Sequence, residues 1–126
     1  MVKILIVEDN FFLQKALEEK LSNFSDIVIK DTAQNGEEAI AILEKNHVVD
    51  LILMDIEMPV MNGIKATEII KSKYPQIKIV MITVFDNDDN VFNAIKAGAD
   101  GYLLKETKAE KIHEAIKETL SGGAVM

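Results

Sequence analysis

Cysteine is absent from the 126-residue chain, which excludes disulfides and thiolate metal sites and favours a reducing compartment. Long apolar runs are also missing, since none approaches the roughly 20 residues that span a bilayer. The first residues run within one short strand into an acidic pair, without the pattern of a signal peptide. We therefore expect a cytoplasmic protein that makes no contact with a membrane.

Positive charge is scarce as well. The chain has 14 Lys and Arg residues against 21 Asp and Glu residues, for a formal net charge of −7. Affinity for nucleic acid comes largely from Lys and Arg side chains that neutralise phosphates, so we do not expect this domain itself to bind DNA or RNA. An acidic surface fits a docking face for another protein, or a cation site, better.

The length and the composition fit one compact domain, because 48% of the residues are hydrophobic, enough for a single core. Short apolar runs alternate with segments of helical spacing. The predicted strands are residues 3–7, 27–29, 50–54, 78–82 and 102–104, and the predicted helices are residues 12–24, 38–43, 64–73, 91–97 and 109–120. Residues 86–90 are expected to form a polar loop, and Gly122-Gly123 to end the last helix.

Strict alternation of strands and helices predicts an α/β fold: a doubly wound, five-stranded parallel sheet with helices on both faces. The second strand has the least apolar flanks, so we place it at an edge of the sheet. In such a sheet, ligands bind beyond the carboxyl ends of the strands. The residues that follow each strand are therefore the candidate site.

Chemically active side chains follow four of the five predicted strands. Glu8 and Asp9 follow the first strand, Asp55 the third, Thr83 the fourth and Lys105 the fifth. Two like charges about 4 Å apart cost about 4 kcal/mol at the effective dielectric constant of a protein surface, so three carboxylates need a cation. Oxygen ligands without His or Cys suit Mg²⁺, with Mn²⁺ as a substitute.

A divalent cation and a lysine together are what a transferring phosphoryl group needs for its oxygens. A carboxylate can itself be the nucleophile and form an acyl phosphate. Thr83 can donate a hydrogen bond to a phosphoryl oxygen. The sequence therefore indicates phosphoryl chemistry at this edge of the sheet.

Several segments together resemble the response-regulator receiver domain of two-component signalling, over essentially the full length of the chain. They are Val7-Glu8-Asp9-Asn10, Leu53-Met54-Asp55-Ile56-Glu57-Met58-Pro59, Met61-Asn62-Gly63, Thr83 and Gly98-Ala99-Asp100-Gly101-Tyr102-Leu103-Leu104-Lys105. No segment is decisive alone. The acidic pair, the Asp-Met-Pro segment, the threonine and the lysine, in this order and on these strands, form a highly specific pattern.

The resemblance implies a flavodoxin-like strand order, 2-1-3-4-5, with the site between strands one and three. It implies that Asp55 accepts a phosphoryl group from the phosphohistidine of a histidine kinase. Glu8 and Asp9 would hold Mg²⁺, one directly and one through water, and Glu57 would lend its backbone carbonyl. The domain would not be an enzyme for an external substrate, although it would assist its own Mg²⁺-dependent phosphorylation and dephosphorylation.

The resemblance also implies a readout of phosphorylation. Thr83 and Lys105 would contact the phosphoryl group, and Tyr102 would be the switch aromatic. We expect Tyr102 to turn from solvent toward the core when Thr83 moves toward the phosphoryl oxygens. The altered face would then drive homodimerisation or release an output domain.

Two positions depart from the family pattern. Glu106 stands where the family usually has proline after the lysine, and Val84 stands where it usually has a small residue after the threonine. Val84 is expected to narrow access to the phosphoryl group and alter its lifetime. The Leu-Lys-Glu-Thr run and the final residues resemble the subfamily whose receivers precede a helix-turn-helix DNA-binding domain. We therefore assign residues 1–121 to the receiver and residues 122–126 to the start of a linker to an output that regulates transcription.

Three other functions fit parts of the pattern. One is a stand-alone receiver that docks a protein target. A flavodoxin-like electron carrier fits the alternation, but its flavin phosphate would be repelled by the acidic pair after strand one. A Mg²⁺-dependent phosphatase or mutase would use an aspartyl nucleophile, but no loop here is long enough to form a cap over the site.

Three methionines and two histidines are expected to have structural roles only. Met54, Met58 and Met61 are expected to pack in the core and its adjoining loop rather than to bind a ligand. His47 and His113 are both expected at the surface.

Overall fold

The computed structural model describes residues 1–84 and 87–122. Its five strands are β1 (Val2–Val7), β2 (Ile27–Ala33), β3 (Leu51–Met54), β4 (Lys78–Thr83) and β5 (Gly101–Leu104). Its five helices are α1 (Phe11–Ser22), α2 (Gly36–Lys45), α3 (Gly63–Lys73), α4 (Asp88–Ala97) and α5 (Ala109–Leu120). Each strand is followed by one helix, as the alternation predicts.

All five strands pair in parallel, in the order β2-β1-β3-β4-β5. This confirms the expected doubly wound sheet and the place of the second strand at its edge. The last residues of β1 and β3 are register partners, Val7 with Met54, and so are the last residues of β4 and β5, Thr83 with Leu104. The carboxyl ends of the strands therefore finish nearly level, which brings the residues that follow them to one edge.

The sheet separates two apolar cores, because successive side chains of a strand point to opposite faces. Leu5 and Val7 face α2, α3 and α4, whereas Ile4 and Ile6 face α1 and α5. The four residues of β3 are all buried, since both faces of a parallel sheet are covered by helices. The central strands are thus held rigidly on both sides, which fixes the position of whatever follows them.

Four of the five helices begin at an asparagine whose side chain accepts a hydrogen bond from the backbone amide three residues later. The four caps are Asn10, Asn35, Asn62 and Asn87. Such a cap satisfies one of the amides that a helix start leaves unpaired. Gly98 ends α4 with φ of 105°, a left-handed conformation that favours glycine, as the sequence indicates.

Most predicted boundaries are within two residues of the observed ones, such as those of α1 and α2, and two differ by more. β2 continues to Ala33 rather than ending at residue 29, because pairing with β1 extends past a register shift at Ile4 and Leu5. α4 begins at Asp88, so residues 88–90 of the predicted polar loop are helical, with Asn87 as the cap. Asp86 from that loop, Gly123, and residues 123–126 of the predicted linker lie outside the described residues.

The methionine prediction is confirmed: Met54 is buried in the core, and Met58 and Met61 pack against it. His47 is exposed, as expected. The prediction for His113 was wrong, because its ring is half-buried and stacks on Phe24, with centroids 4.1 Å apart. Among the described residues, no helix has the length and the apolar character needed to cross a membrane.

Candidate functional site

Backbone hydrogen bonds extend the sheet past its strand ends and hold the candidate residues in place. The amide of Glu8 donates to the carbonyl of Ala33 at 2.9 Å, and the amide of Asp55 donates to the carbonyl of Val7 at 3.0 Å. The amide of Lys105 donates to the carbonyl of Thr83 at 2.8 Å. The site is therefore built on the rigid end of the sheet rather than on mobile loops.

Asp55 lies at the centre of this edge and is only 5% exposed. One carboxylate oxygen, Oδ1, accepts a hydrogen bond of 2.9 Å from the amide of Ile56. The other, Oδ2, lies 3.2 Å from the ammonium nitrogen of Lys105. The carboxylate is thus oriented from two sides, one by backbone and one by a cation.

Gly63, the first residue of α3, lets the chain close tightly under Asp55. Its amide donates to the carbonyl of Ile56 at 2.7 Å. A Cβ atom at this position would lie 1.8 Å from the carbonyl oxygen of Asp55, far inside van der Waals contact. Only glycine fits, which gives the Asn62-Gly63 pair of the sequence pattern a physical reason: the asparagine caps α3 and the glycine admits the backbone of the site.

Three carboxylates, those of Glu8, Asp9 and Asp55, each offer an oxygen within 4.8 Å of the others. Glu8 and Asp55 are buried, whereas Asp9 is exposed. A set of hard oxygen donors at one partly open corner fits Mg²⁺, which takes a few carboxylates and keeps several waters. The residues present therefore suit the cation that the sequence suggests.

Lys105 divides this cluster in a way that the sequence did not indicate. Its ammonium forms a short ion pair with Oε1 of Glu8 as well as the contact with Asp55. The second oxygen of Glu8, Oε2, accepts a hydrogen bond of 3.0 Å from the amide of Asn10. Both oxygens of Glu8 thus have protein partners, as do both oxygens of Asp55, which leaves Asp9 as the exposed carboxylate of the three.

Burial and mutual repulsion shift the acidity of the cluster. Burial first, and the charge of Glu8 second, raise the pKa of Asp55 to about 6 against the opposing effect of Lys105. The pKa of Asp9 is also raised, by burial and by Glu8. For Glu8, burial acts to raise the pKa, but hydrogen bonds from Lys105 and Asn10 outweigh it and lower the value. The environment thus disfavours the negative charge of two of the three carboxylates. This suits a site that accepts a cation or an electrophile.

Thr83 and Tyr102 lie on neighbouring strands, β4 and β5. Thr83 is the last residue of β4 and is buried. Tyr102, in β5, is the register partner of Met81 and is 8% exposed. The expectation that Tyr102 starts in solvent was therefore wrong, because its ring already packs in the core between the sheet and α4. Glu57 is exposed in the loop after β3, and the role of its carbonyl stays a prediction.

Two residues near the site were missed by sequence reasoning. The ammonium of Lys20, in α1, donates to the backbone carbonyls of Lys105 and Thr107, at 3.0 Å each. Val60, in the loop after Asp55, has φ of 69°, which is unusual for a β-branched residue. Neither position carries a local sequence signal, since one depends on a contact 85 residues away and the other on loop closure.

The comparisons with known proteins agree with this geometry. Residues 4–117 match the family model described as the response regulator receiver domain. The chain belongs to this family, and it is the receiver domain of a two-component response regulator.

Individual relatives point the same way. The response regulator protein VraR of Staphylococcus aureus is 41% identical over 126 residues, covering 98% of this chain and 59% of VraR. A DNA-binding response regulator of the LuxR family from Staphylococcus aureus has a TM-score of 0.88 and 28% identity, covering 95% of this chain and 99% of that one. A chain of the CheX–CheY–BeF3–Mg²⁺ complex from Borrelia burgdorferi has a TM-score of 0.86 and 26% identity, covering 95% and 89%. This chain thus spans about three fifths of the length of the curated relatives it matches.

Proposed function

We propose that Asp55 is the phosphoryl acceptor of this receiver and that a histidine kinase is the donor. The observation that carries this proposal is the environment of Asp55: a buried carboxylate that has Lys105 at 3.2 Å and two further carboxylates within 4.8 Å. A carboxylate oxygen of Asp55 attacks the phosphorus of a phosphohistidine. The new O–P bond forms as the P–N bond breaks, and the imidazole leaves with the electron pair.

Each neighbouring residue has a defined task in this proposal. Glu8 and Asp9 hold Mg²⁺ together with Asp55, and Glu57 contributes its backbone carbonyl. The bound cation supplies positive charge to the phosphoryl oxygens. Lys105 supplies a second positive charge from within the protein, and the Ile56 amide keeps the carboxylate oriented.

The same residues are proposed to assist both phosphorylation and later hydrolysis at Asp55. The domain therefore speeds its own reactions without turning over an external substrate. The Borrelia complex that this fold resembles holds BeF3 and Mg²⁺, which supports the choice of ligand classes. Val84 is exposed immediately after Thr83, and together with Leu104 and Glu106 it lines a small cavity beside Lys105. We propose that Val84 narrows access to the phosphoryl group and so alters its lifetime.

The signal leaves through a longer protein, in our proposal. Residues 1–121 form the receiver, and residues 122–126 begin the connection to a DNA-binding output that regulates transcription. Two findings support this: VraR is longer than the match, and the similar LuxR-family protein is named a DNA-binding regulator. Phosphorylation is proposed to favour a homodimer of the receiver.

The decisive test is the intact mass of the protein after incubation with acetyl phosphate and Mg²⁺. We expect the wild type to gain one phosphoryl group and Asp55→Asn to gain none, because the amide is not a nucleophile. Asp31→Asn, an exposed aspartate at the edge of the sheet, is the matched control and should react like the wild type. A phosphoryl gain that persists in Asp55→Asn, or that needs no divalent cation, would contradict the assignment.

A further inference from the structure

The turn that carries Lys105 connects β5 to α5 and has few covalent constraints. The chain's two prolines are Pro59 and Pro75, so no proline ring fixes the backbone of residues 105–108. The turn is tied to β4 at one point, where the amide of Lys105 donates to the carbonyl of Thr83. The other contacts of the turn therefore determine the backbone position of Lys105, from which its side chain extends.

Lys20 spans this turn from the opposite side. Its ammonium donates to the carbonyl of Lys105 and to the carbonyl of Thr107, both at 3.0 Å. One cation thus bridges two carbonyls of a single turn, and it fixes both the direction and the spacing of the backbone that carries Lys105. Hydrogen bonds from a charged donor are about twice as strong as neutral ones.

The anchor for this bridge is rigid. Lys20 lies in the last turn of α1, and its neighbours Leu17 and Leu21 are buried in the core between α1, α5 and the sheet. Lys20 itself is partly buried. A lysine on a loose surface helix would gain little from two carbonyls, but here the helix backbone is held by packing before the side chain reaches the turn.

Lys20 and Lys105 also line one small pocket together with Glu8. A cavity of about 40 Å³ is lined by these three residues together with apolar side chains of α1 and β4. Lys105 reaches from this space to both Glu8 and Asp55. A shift of the turn would change both ion pairs at once, because all of them depend on one backbone position.

We propose that Lys20 is a positioning residue for phosphoryl acceptance: by holding the carbonyls of Lys105 and Thr107, it places the Lys105 ammonium at Asp55. This inference rests on the proposed function of Asp55 and deepens it. Lys20 makes no contact with the carboxylate in the described hydrogen bonds and ion pairs, so it acts through Lys105.

The test is a double-mutant cycle between Lys20→Met and Lys105→Ala. The readouts are the rate of Asp55 phosphorylation by acetyl phosphate and the affinity for beryllofluoride, a phosphoryl mimic, followed by NMR. Lys20→Met should lower both by about fivefold, because two charge-assisted hydrogen bonds are lost. In the Lys105→Ala background, the same change should have no further effect.

Two more variants separate positioning from loss of charge. Lys15→Met removes a lysine from the same helix at an exposed position and should behave like the wild type. Lys20→Arg keeps two donors and should restore most of the activity. If Lys20→Met does not fold, the cycle is run with Lys20→Gln, whose uncharged amide keeps two N–H donors and which should show a smaller effect in the same direction.

The outcomes divide cleanly. Wild-type rates in Lys20→Met, or additive losses in the double mutant, would overturn the positioning role. A loss of the same size in Lys15→Met would show a general charge effect and would overturn it too. Failure of the wild type to accept a phosphoryl group at Asp55 would instead reject the proposed function itself.

Discussion

At the scale of single residues, Asp55 is kept in an environment that disfavours its own charge. Its pKa of about 6 lies above the ordinary value of about 4 for aspartate, mainly because of burial. Between these values the folded protein binds a proton that the unfolded chain has lost. Stability therefore falls as pH rises through this window, and the full cost is present above the folded pKa.

Asp55→Asn should consequently stabilise the protein at high pH. We expect a gain on the order of 2 kcal/mol in the free energy of unfolding near pH 8, shrinking as the pH falls through this window and nearly gone at about pH 4. Urea unfolding of both proteins at the two pH values measures the difference. Millimolar Mg²⁺ should raise the stability of the wild type at pH 8 and leave the variant nearly unchanged. A gain that is independent of pH would show that charge repulsion is not its cause.

Val60 is a second residue near the site whose local conformation lowers the stability of the protein. Its φ of 69° places a β-branched residue in the left-handed region, and the residue is 75% exposed. Because the residue is exposed, packing does not offset the cost of this backbone conformation. The loop that it closes connects Asp55 to the capped start of α3, so closure of the site sets its backbone angle.

Val60→Asn should raise the free energy of unfolding by about 0.5–1 kcal/mol, because asparagine adopts left-handed conformations at lower cost. Val48→Asn is the matched control. Val48 is also exposed, at 51%, but has no positive φ, so its substitution should not stabilise the protein. Thermal or urea denaturation measures both. Equal effects at the two positions would show that hydrophobic exposure, not backbone strain, explains the change.

At the scale of elements, α5 is the exception among the helices. The starts of α1 to α4 each have an asparagine cap, but the cap residue of α5 is Lys108, which makes no side-chain capping bond. A lysine there also places positive charge at the positive end of the helix dipole. This helix starts just after the turn that Lys20 holds, so part of its fixation comes from α1.

Lys108→Asn should stabilise the domain by about 1 kcal/mol, by adding the missing cap and removing the unfavourable charge. Lys111→Asn makes the same substitution inside the first turn of α5, away from the N-cap position, and should be neutral or destabilising. Urea unfolding at neutral pH compares them. If both variants gain stability equally, the charge rather than the cap is responsible.

The sequence predicted the type and the order of every element, and its two largest boundary errors, in β2 and α4, have identifiable reasons. Residues 30–33 of β2 are mostly polar, and they become strand only by pairing with β1, a contact that no local pattern reveals. Asp88, Asp89 and Asn90 suggest a loop by residue type. They are helical because acidic residues are favourable in a first turn behind the cap of Asn87.

The site was predictable to the extent that topology creates it. Parallel strands whose ends are level bring Glu8, Asp9, Asp55 and Lys105 together whatever their side chains do. The side-chain partners were not predictable, because whether Lys105 contacts Glu8, Asp55 or both depends on distances of a few ångströms. The bridge from Lys20 was missed for the same reason: a lysine at a helix end normally indicates only a solvated surface.

At the scale of the whole molecule, the proposed phosphorylation of Asp55 would have to alter a distant face of the domain. A phosphoryl group adds a charge of about −1.5 to −2 and new acceptor oxygens. Thr83 ends β4 at the same edge of the sheet as Asp55. Tyr102 lies on the adjacent strand, β5, and is already buried in the core that also includes Ala94 of α4. We therefore expect a movement of Thr83 to repack Tyr102 within the core, instead of drawing it in from solvent. Such repacking would displace α4, which has only one buried side chain, Ala94.

Thr83→Ala should therefore separate acceptance from readout. We expect the variant to take up a phosphoryl group at Asp55 but to lose phosphorylation-dependent dimerisation. Shifting the conformational population from 1:99 to 99:1 requires about 5.5 kcal/mol of differential stabilisation. Without the Thr83 hydroxyl, part of that stabilisation is missing. NMR shift mapping with beryllofluoride, combined with sedimentation analysis, measures both effects. In the wild type, shifts should extend from the strand ends to Tyr102, α4 and α5, whereas in Thr83→Ala they should stop at Asp55 and Lys105. Identical shift patterns in the two proteins would eliminate Thr83 as the coupling residue while leaving Asp55 as the acceptor.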